Sequence, residues 1–450
     1  MRKWMKGLSM LVLLPALLSW GPALAEAVSG EPLLCLAMEG MTALLTNWGE
    51  TVIPPGVYDA LFALEENTLY AGGNDTGEGL RYALLDATGT PLTEPTYEML
   101  AMDGQSVIFR KNGLYGVMSR EGQELIAAEW TAIVDNRQGG WLALMSDPWD
   151  DYGDAVYLLE PGQEPMESGV VLNGSLQPFG AGRMPFQDPA TELYGYLDAH
   201  GKIAIEAQYD HAEAFVNELA LASMEGSLGV IDSKGTWRIR PEYDFLERGE
   251  GIFVGLAGRS FCVVFDEYTT ELLFRVRGSD LQVAVMGSYA LVLEDDSVRA
   301  YTREGIPMAE VAADATIQLG VDGQLMVFEG EWGTQCTSIL DDSGERLERR
   351  DQYLIPLGNG RYAFMKMDVA AYNSDVLGEI RYSCDYDSMR FGMMDWSGKE
   401  ILPAEYLEIR PLSENRYITV TEDSLQMVDE NAVLLWTHQE QDEEGATTSH

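Results

Sequence analysis

Four carboxylates fall close together at Asp147, Asp150, Asp151 and Asp154. Oxygen-rich loops of this kind suit calcium, a hard cation that takes oxygen ligands. The spacing is not that of an EF-hand, because Tyr152 stands where that loop needs Gly. A second acidic group, Asp385-Tyr386-Asp387, lies beside Cys384. Paired carboxylates could also hydrolyse glycosidic bonds. With 73 Asp and Glu in the chain, such pairs arise by chance, and a solvated acidic surface accounts for most of them. The histidines are His200, His211, His438 and His450, and no G-x-S-x-G, H-E-x-x-H or P-loop accompanies them. Gly358-Asn359-Gly360 sits between two β-like runs and reads as a turn rather than a dinucleotide fingerprint. Trp141, Trp149, Trp332 and Trp396 fall outside the recurring aromatic positions described below. They are expected on an exposed binding face, where indoles stack on sugars or anchor protein partners.

These residues belong to a chain of 450 residues with 29 Lys and Arg, a formal net charge of −44 and 46% hydrophobic content. That content supports a folded core. The charge argues against nucleic acid and against docking on anionic lipid, since no cationic excess exists to neutralise phosphates. Residues 1–25 read as a secretory signal peptide: Arg2, Lys3 and Lys6 precede an apolar stretch, and Ala23-Leu24-Ala25 precedes the expected cleavage before Glu26. A secreted, cell-surface or periplasmic location follows, with no membrane span after cleavage. Cys35, Cys262, Cys336 and Cys384 are dispersed, so disulfides and free thiols are both open.

The positioning elements are a repeat. Leu193-Tyr194-Gly195-Tyr196-Leu197-Asp198-Ala199-His200-Gly201 aligns with Leu228-Gly229-Val230-Ile231-Asp232-Ser233-Lys234-Gly235. Each is followed by an aromatic and an acid, Tyr209-Asp210 and Tyr243-Asp244. The pattern returns at Gly116 with Gly122 and Trp130, and at Gly392 with Gly398, Pro403 and Tyr406. Turn glycines fall at 49, 89, 122, 162, 201, 235, 305, 344 and 398. A worn copy at Val263-Val264-Phe265-Asp266 and a last one at Met427-Val428-Asp429, turning at Asn431, complete eleven units over 26–436. An insertion is expected near 368–387, and 437–450 reads as an acidic disordered tail. Each unit predicts about three antiparallel strands, with Asp-x-x-Gly as a hairpin turn. The fold class is therefore all-β, a tandem array of about eleven units, either propeller-like or open and solenoid-like. Eleven exceeds a typical propeller, which favours an open array, two rings, or blades made from more than one unit.

These residues resemble the WG repeat family, also called KWG, whose unit is built on an aromatic-Gly pair, an apolar run, an Asp, a turn Gly, a Pro and a Tyr-Asp. Tyr194-Gly195 through Tyr209-Asp210, Leu228-Gly229 through Tyr243-Asp244 and Phe391-Gly392 through Tyr406 carry the resemblance. It implies a β-rich bacterial scaffold with no assigned activity, in which Gly195, Gly201, Tyr209, Gly229, Gly235, Tyr243, Gly392, Gly398 and Tyr406 are structural positions. The expectation is a non-catalytic binding or scaffolding protein whose partner is a protein or cell-surface glycan, without a cofactor unless calcium. The alternatives are a wall-polymer hydrolase and a calcium-dependent surface adhesin.

Overall fold

A computed structural model describes residues 33–439, apart from 39–40, 146–152, 331–334, 341–345, 351, 374–379 and 414; for 38, 350, 369–373 and 380–384 it describes the backbone alone. The described residues contain 41 strands and no helix. They form eleven antiparallel sheets, eight of four strands and three of three. Strands pair in chain order within each sheet, as the short connections require. We number the sheets as blades: 1 (33–53), 2 (60–86), 3 (99–130), 4 (132–172), 5 (184–209), 6 (211–243), 7 (245–277), 8 (282–312), 9 (316–350), 10 (354–406) and 11 (408–439).

The core is distributed. Eleven apolar clusters each join two successive blades. Between blades 6 and 7, for example, Leu219 and Val230 pack with Leu246 and Phe253. The last cluster joins Ile418, Leu425 and Met427 of blade 11 to Leu34, Leu36, Ala43 and Leu45 of blade 1. The array is thus one closed ring, an eleven-bladed β-propeller. The expected lean towards an open array, two rings or composite blades is corrected. Interfaces between neighbours in sequence do not reveal whether the two ends meet, and here they do. First strands of some successive four-stranded blades touch, as Phe245–Arg248 touches Gln282–Met286 and Leu354–Gly358 touches Glu408–Ser413. The first strands therefore converge on the axis. Sheets stacked about 10 Å apart, with strands about 4.8 Å apart, place the middle of each blade about 18 Å from the axis and the innermost strand roughly 10 Å from it.

Within a blade the second strand is almost wholly buried, as in Leu219–Met224 and Ile252–Ala257. The outermost strand alternates, as in Ile203–Tyr209, because only one of its faces meets a neighbour. The repeat read from the sequence is out of phase with the sheets. Gly195 through Gly201 and Tyr209 form the last two strands of blade 5 and the turn between them, and the chain then enters the first and second strands of blade 6. Each repeat thus ties two blades together covalently, with its strands divided between two sheets. The residues near 368–387 extend a hairpin of blade 10, with Asp368 opposite Asp385 and Asn373 opposite Ile380. The last strand, Leu434–Gln439, reaches three residues past the boundary drawn at 436.

Candidate functional site

The repeat residues do structural chemistry. In the next-to-last strands of their blades Gly195, Gly229 and Gly392 face a bulge in the last strand: Leu228 pairs with Tyr243 and Val230 with Ile239, so the partner carries two extra residues. The bulged backbone presses on the glycine. A Cβ at Gly229 would sit 2.6 Å from the Ile239 carbonyl oxygen, and one at Gly392 would sit 2.7 Å from that of Leu402. Pro241 and Pro403 occupy the bulge, where a missing N–H breaks no ladder bond. Tyr209 is buried and its hydroxyl donates to the Gly235 carbonyl at 3.3 Å, while Tyr243 and Tyr406 are half-buried. Gly201, Gly235 and Gly398 hold φ of 73°, 79° and 87° at the turn between the last two strands of their blades.

Most carboxylates of the repeat are occupied. Asp232 Oδ1 accepts from the Lys234 and Thr236 N–H groups at 3.0 Å each, and Asp198 and Asp429 do the same in their turns. In blade 7 the Thr269 N–H, with the Arg303 guanidinium, lowers the Asp266 carboxyl to about 2. Ser397 and the Lys399 N–H likewise hold Asp395 below the ordinary carboxylate range. The acid after the aromatic caps the other end of the blade: Asp210 accepts from Gly226 N–H and Asp244 from Gly258 N–H, both at 2.8 Å. These groups are turn caps, not a catalytic pair.

Because strands alternate in direction, the first-to-second and third-to-fourth turns of the four-stranded blades share one face of the ring, and their second-to-third turns share the other; in the three-stranded blades 1 and 5 the second-to-third turn lies on the first of these faces. The first face carries a series of clamps. Arg183 donates to the Ser233 carbonyl of blade 6 (3.2 Å), Arg361 to the Glu430 carbonyl of blade 11 (3.2 Å) and Arg416 to the Asn47 carbonyl of blade 1 (2.7 Å). Asn136 does the same for Ala199 (3.0 Å). Each joins a blade to the turn of the next, and the Arg416 clamp closes the ring. No motif in the sequence marks these four residues.

The tryptophans separate. Trp141 is 3% exposed, in the core between blades 3 and 4, which corrects its assignment to a binding face. The bulky apolar neighbours Trp130, Ile108 and Leu159 enclose it, and its indole nitrogen makes no hydrogen bond. Trp396 is half-buried against Tyr362 (centroids 5.4 Å apart) and under the Arg349 guanidinium, so it too serves the interface between blades 9 and 10. Trp149, Trp332, Asp147, Asp150 and Asp151 lie outside the described residues. The strand ends that bracket them, Met145 and Asp154 in blade 4 and Glu329 and Cys336 in blade 9, are on the second face. Blades 4 and 9 stand across the ring from each other, so the fold does not bring these two regions together. Asp385, Tyr386 and Asp387 are exposed on the blade 10 hairpin, on the second face as well. Among the described residues no group of three or more His, Cys, Asp or Glu is placed to hold a metal, and no helix is long and apolar enough to cross a membrane. A cavity of about 240 Å³ opens between blades 3 and 4, lined by Ile126, Trp130, Leu159 and Gln163. It falls below the ~300 Å³ at which small-molecule sites begin. Cys35, Cys262 and Cys336 are free thiols. Burial pushes Cys35 up to about 11 and Cys262 up to about 12.

No curated protein matches the chain. A eukaryotic initiation factor structure is 12% identical, with 72% of this chain and 96% of that chain covered and a TM-score of 0.38. BamB from Moraxella catarrhalis is 12% identical, covering 67% and 89%, with a TM-score of 0.28. The computationally designed Ika8 protein is 17% identical, covering 62% and 95%, with a TM-score of 0.29. The family model of the WG containing repeat matches residues 194–226 and 229–248, the same stretch in which the glycine, bulge and capping geometry is most complete. The chain therefore carries WG containing repeats over 194–248, running from blade 5 through blade 6 into blade 7 of an eleven-bladed ring.

Proposed function

We propose that the protein is an exported, non-catalytic binding or scaffolding protein that presents the faces and rim of its ring to a protein or cell-surface glycan. One observation carries this reading: the recurring carboxylates, the commonest candidates for chemistry, are committed to capping turns. What repeats around the ring is surface. Stacked repeats offer many equivalent turns over an extended area, which suits multivalent docking more than a single reacting centre.

The test is capture. The purified protein is immobilised and exposed to the cell-surface and secreted fraction of its own organism, with calcium in one arm and chelator in the other. A specific partner that survives moderate salt supports the reading. Calcium dependence would assign the Asp147–Asp154 region to metal and favour an adhesin. Turnover of a wall polymer, lost on a single Asp or Glu substitution, would replace the reading with a hydrolase.

A further inference from the structure

In a chain with 73 acids and 29 bases, arginines are expected to find carboxylates. Most do: Arg110, Arg120, Arg137, Arg248, Arg299, Arg303, Arg346, Arg390, Arg410 and Arg416 all form ion pairs. Arg238, Arg240 and Arg275 make no ion pair, side-chain hydrogen bond or ring contact with any described residue, and Arg277 touches only the Phe261 ring. All four are exposed, and all four lie on the outer strands of two adjacent blades, Trp237–Tyr243 of blade 6 and Leu272–Arg277 of blade 7. Of the carboxylates on or beside those strands, Asp244 accepts from the Gly258 N–H and Asp280 pairs with Arg259, while Glu242 and Glu271 form no ion pair with the four arginines.

The alternation explains their exposure. Ile239 is buried and Phe274 and Val276 are half-buried, so the arginines between them project away from the core, about 7 Å apart along each strand. By the ring dimensions above, neighbouring outer strands stand roughly 14 Å apart. Lys234, also exposed, sits in the turn before Arg238. Charged residues on an outer edge deter strand pairing, but carboxylates would do that equally well in so acidic a chain. Unpaired guanidinium groups are instead suited to carboxylate, sulfate or phosphate, which they bind by parallel hydrogen bonds. The net charge of −44 does not cancel this patch, because the Debye length is about 8 Å at physiological salt and most of the ring lies several such lengths away.

We propose that the outer rim of blades 6 and 7 binds an anionic polysaccharide through Arg238, Arg240, Arg275 and Arg277. The inference rests on the binding reading above and names its ligand class. Three probes separate the chemistry: polygalacturonate, which carries carboxylates; heparin, which carries mainly sulfates; and dextran, which is neutral. The purified protein is expected to bind at least one charged polymer at low salt and not dextran. Each exposed guanidinium is worth about twofold to fivefold, so the variant R238Q/R240Q/R275Q/R277Q is expected to bind at least about tenfold more weakly. The variant R110Q/R299Q, which removes ion-paired arginines on other blades, is expected to bind as the native protein does. No retention of either charged polymer at low salt, or equal binding by the fourfold variant, overturns the proposal. A cell-surface partner captured equally by the native protein and the fourfold variant would leave the scaffold reading standing while removing this site from it.

Discussion

The seam between blades 11 and 1 is the interface in the ring without a covalent connection across it, and Arg416 is its polar fastener. Its side chain is 8% exposed. The Nε donates to the Asn47 carbonyl at 2.7 Å, Nη1 lies 3.9 Å from Glu430, and the guanidinium stacks over Trp48 at 5.4 Å. Replacing it with Met keeps the apolar stem but removes all three contacts. A hydrogen bond from a charged donor contributes about 1.5–3 kcal/mol, and a half-exposed cation–π contact about 0.5–1 kcal/mol. The expected loss at the seam is thus about 2–4 kcal/mol, which raises its opening roughly 30-fold to 1,000-fold at 1.4 kcal/mol per factor of ten. The seam retains its apolar cluster of Leu34, Leu36, Leu45, Ile418, Leu425 and Met427, so the ring stays closed on average. Amide hydrogen exchange read by peptide checks this. In Arg416→Met, peptides over 33–46 and 424–439 are expected to exchange faster by that factor, while peptides over 219–243, on the far side, keep native rates. Equal acceleration everywhere would show that the seam is not a local unit. No change at the seam would refute the role of Arg416 in closure.

Other outcomes follow from the same geometry. Gly229→Ala drives a Cβ into backbone at 2.6 Å and should destabilise by about 1–3 kcal/mol in denaturant titration, whereas Gly320→Ala, whose nearest neighbour is at 3.5 Å, should be neutral. Equal effects would remove the steric account of the repeat glycine. Thr270 holds φ of 60° in the blade 7 turn, a strained place for a β-branched residue, so Thr270→Gly is expected to stabilise by about 1 kcal/mol; a lower midpoint would contradict this. Asp266 titrates lower when folded than when unfolded. Its contribution is therefore present above its unfolded value near 4 and is lost as pH falls towards about 2. Asp266→Asn should flatten the acid limb of the stability profile, and an unchanged slope would refute the assignment. The Cys262 thiol, buried and raised to about 12, should resist alkylation at neutral pH until the ring unfolds.

Local rules made much of the fold legible. The Asp-x-x-Gly turns were readable because one carboxylate capping two N–H groups, with a glycine at positive φ, is a short-range arrangement. The hidden copy at Asp266 could be placed by spacing, and the structure shows its cap in a turn one residue longer, with Thr270 holding the positive φ. The last copy differs in detail: the positive φ falls on Ala432 rather than Asn431. The candidate site was harder to read. Trp141 and Trp396 looked free because they fall outside the repeat, yet indoles are large apolar groups, and gaps between blades accept them as readily as a ligand does. The unpaired arginines of blades 6 and 7 were visible as residues but not as a cluster, since only the ring sets their strands side by side.

The amino-acid sequence by itself determines the all-β character, the eleven units, and the residues that turn and cap each one. Those properties depend on contacts between residues close in the chain. Closure, the phase between repeat and blade, and the four clamps that seal a turn against the previous blade were decided only in the tertiary structure. They depend on the angle at which each sheet meets the next. A small change in that angle, summed over eleven interfaces, separates a ring from a spiral, and no short stretch of sequence encodes the sum. The contact between Arg416 and Asn47, 369 residues apart, is where that sum comes to zero.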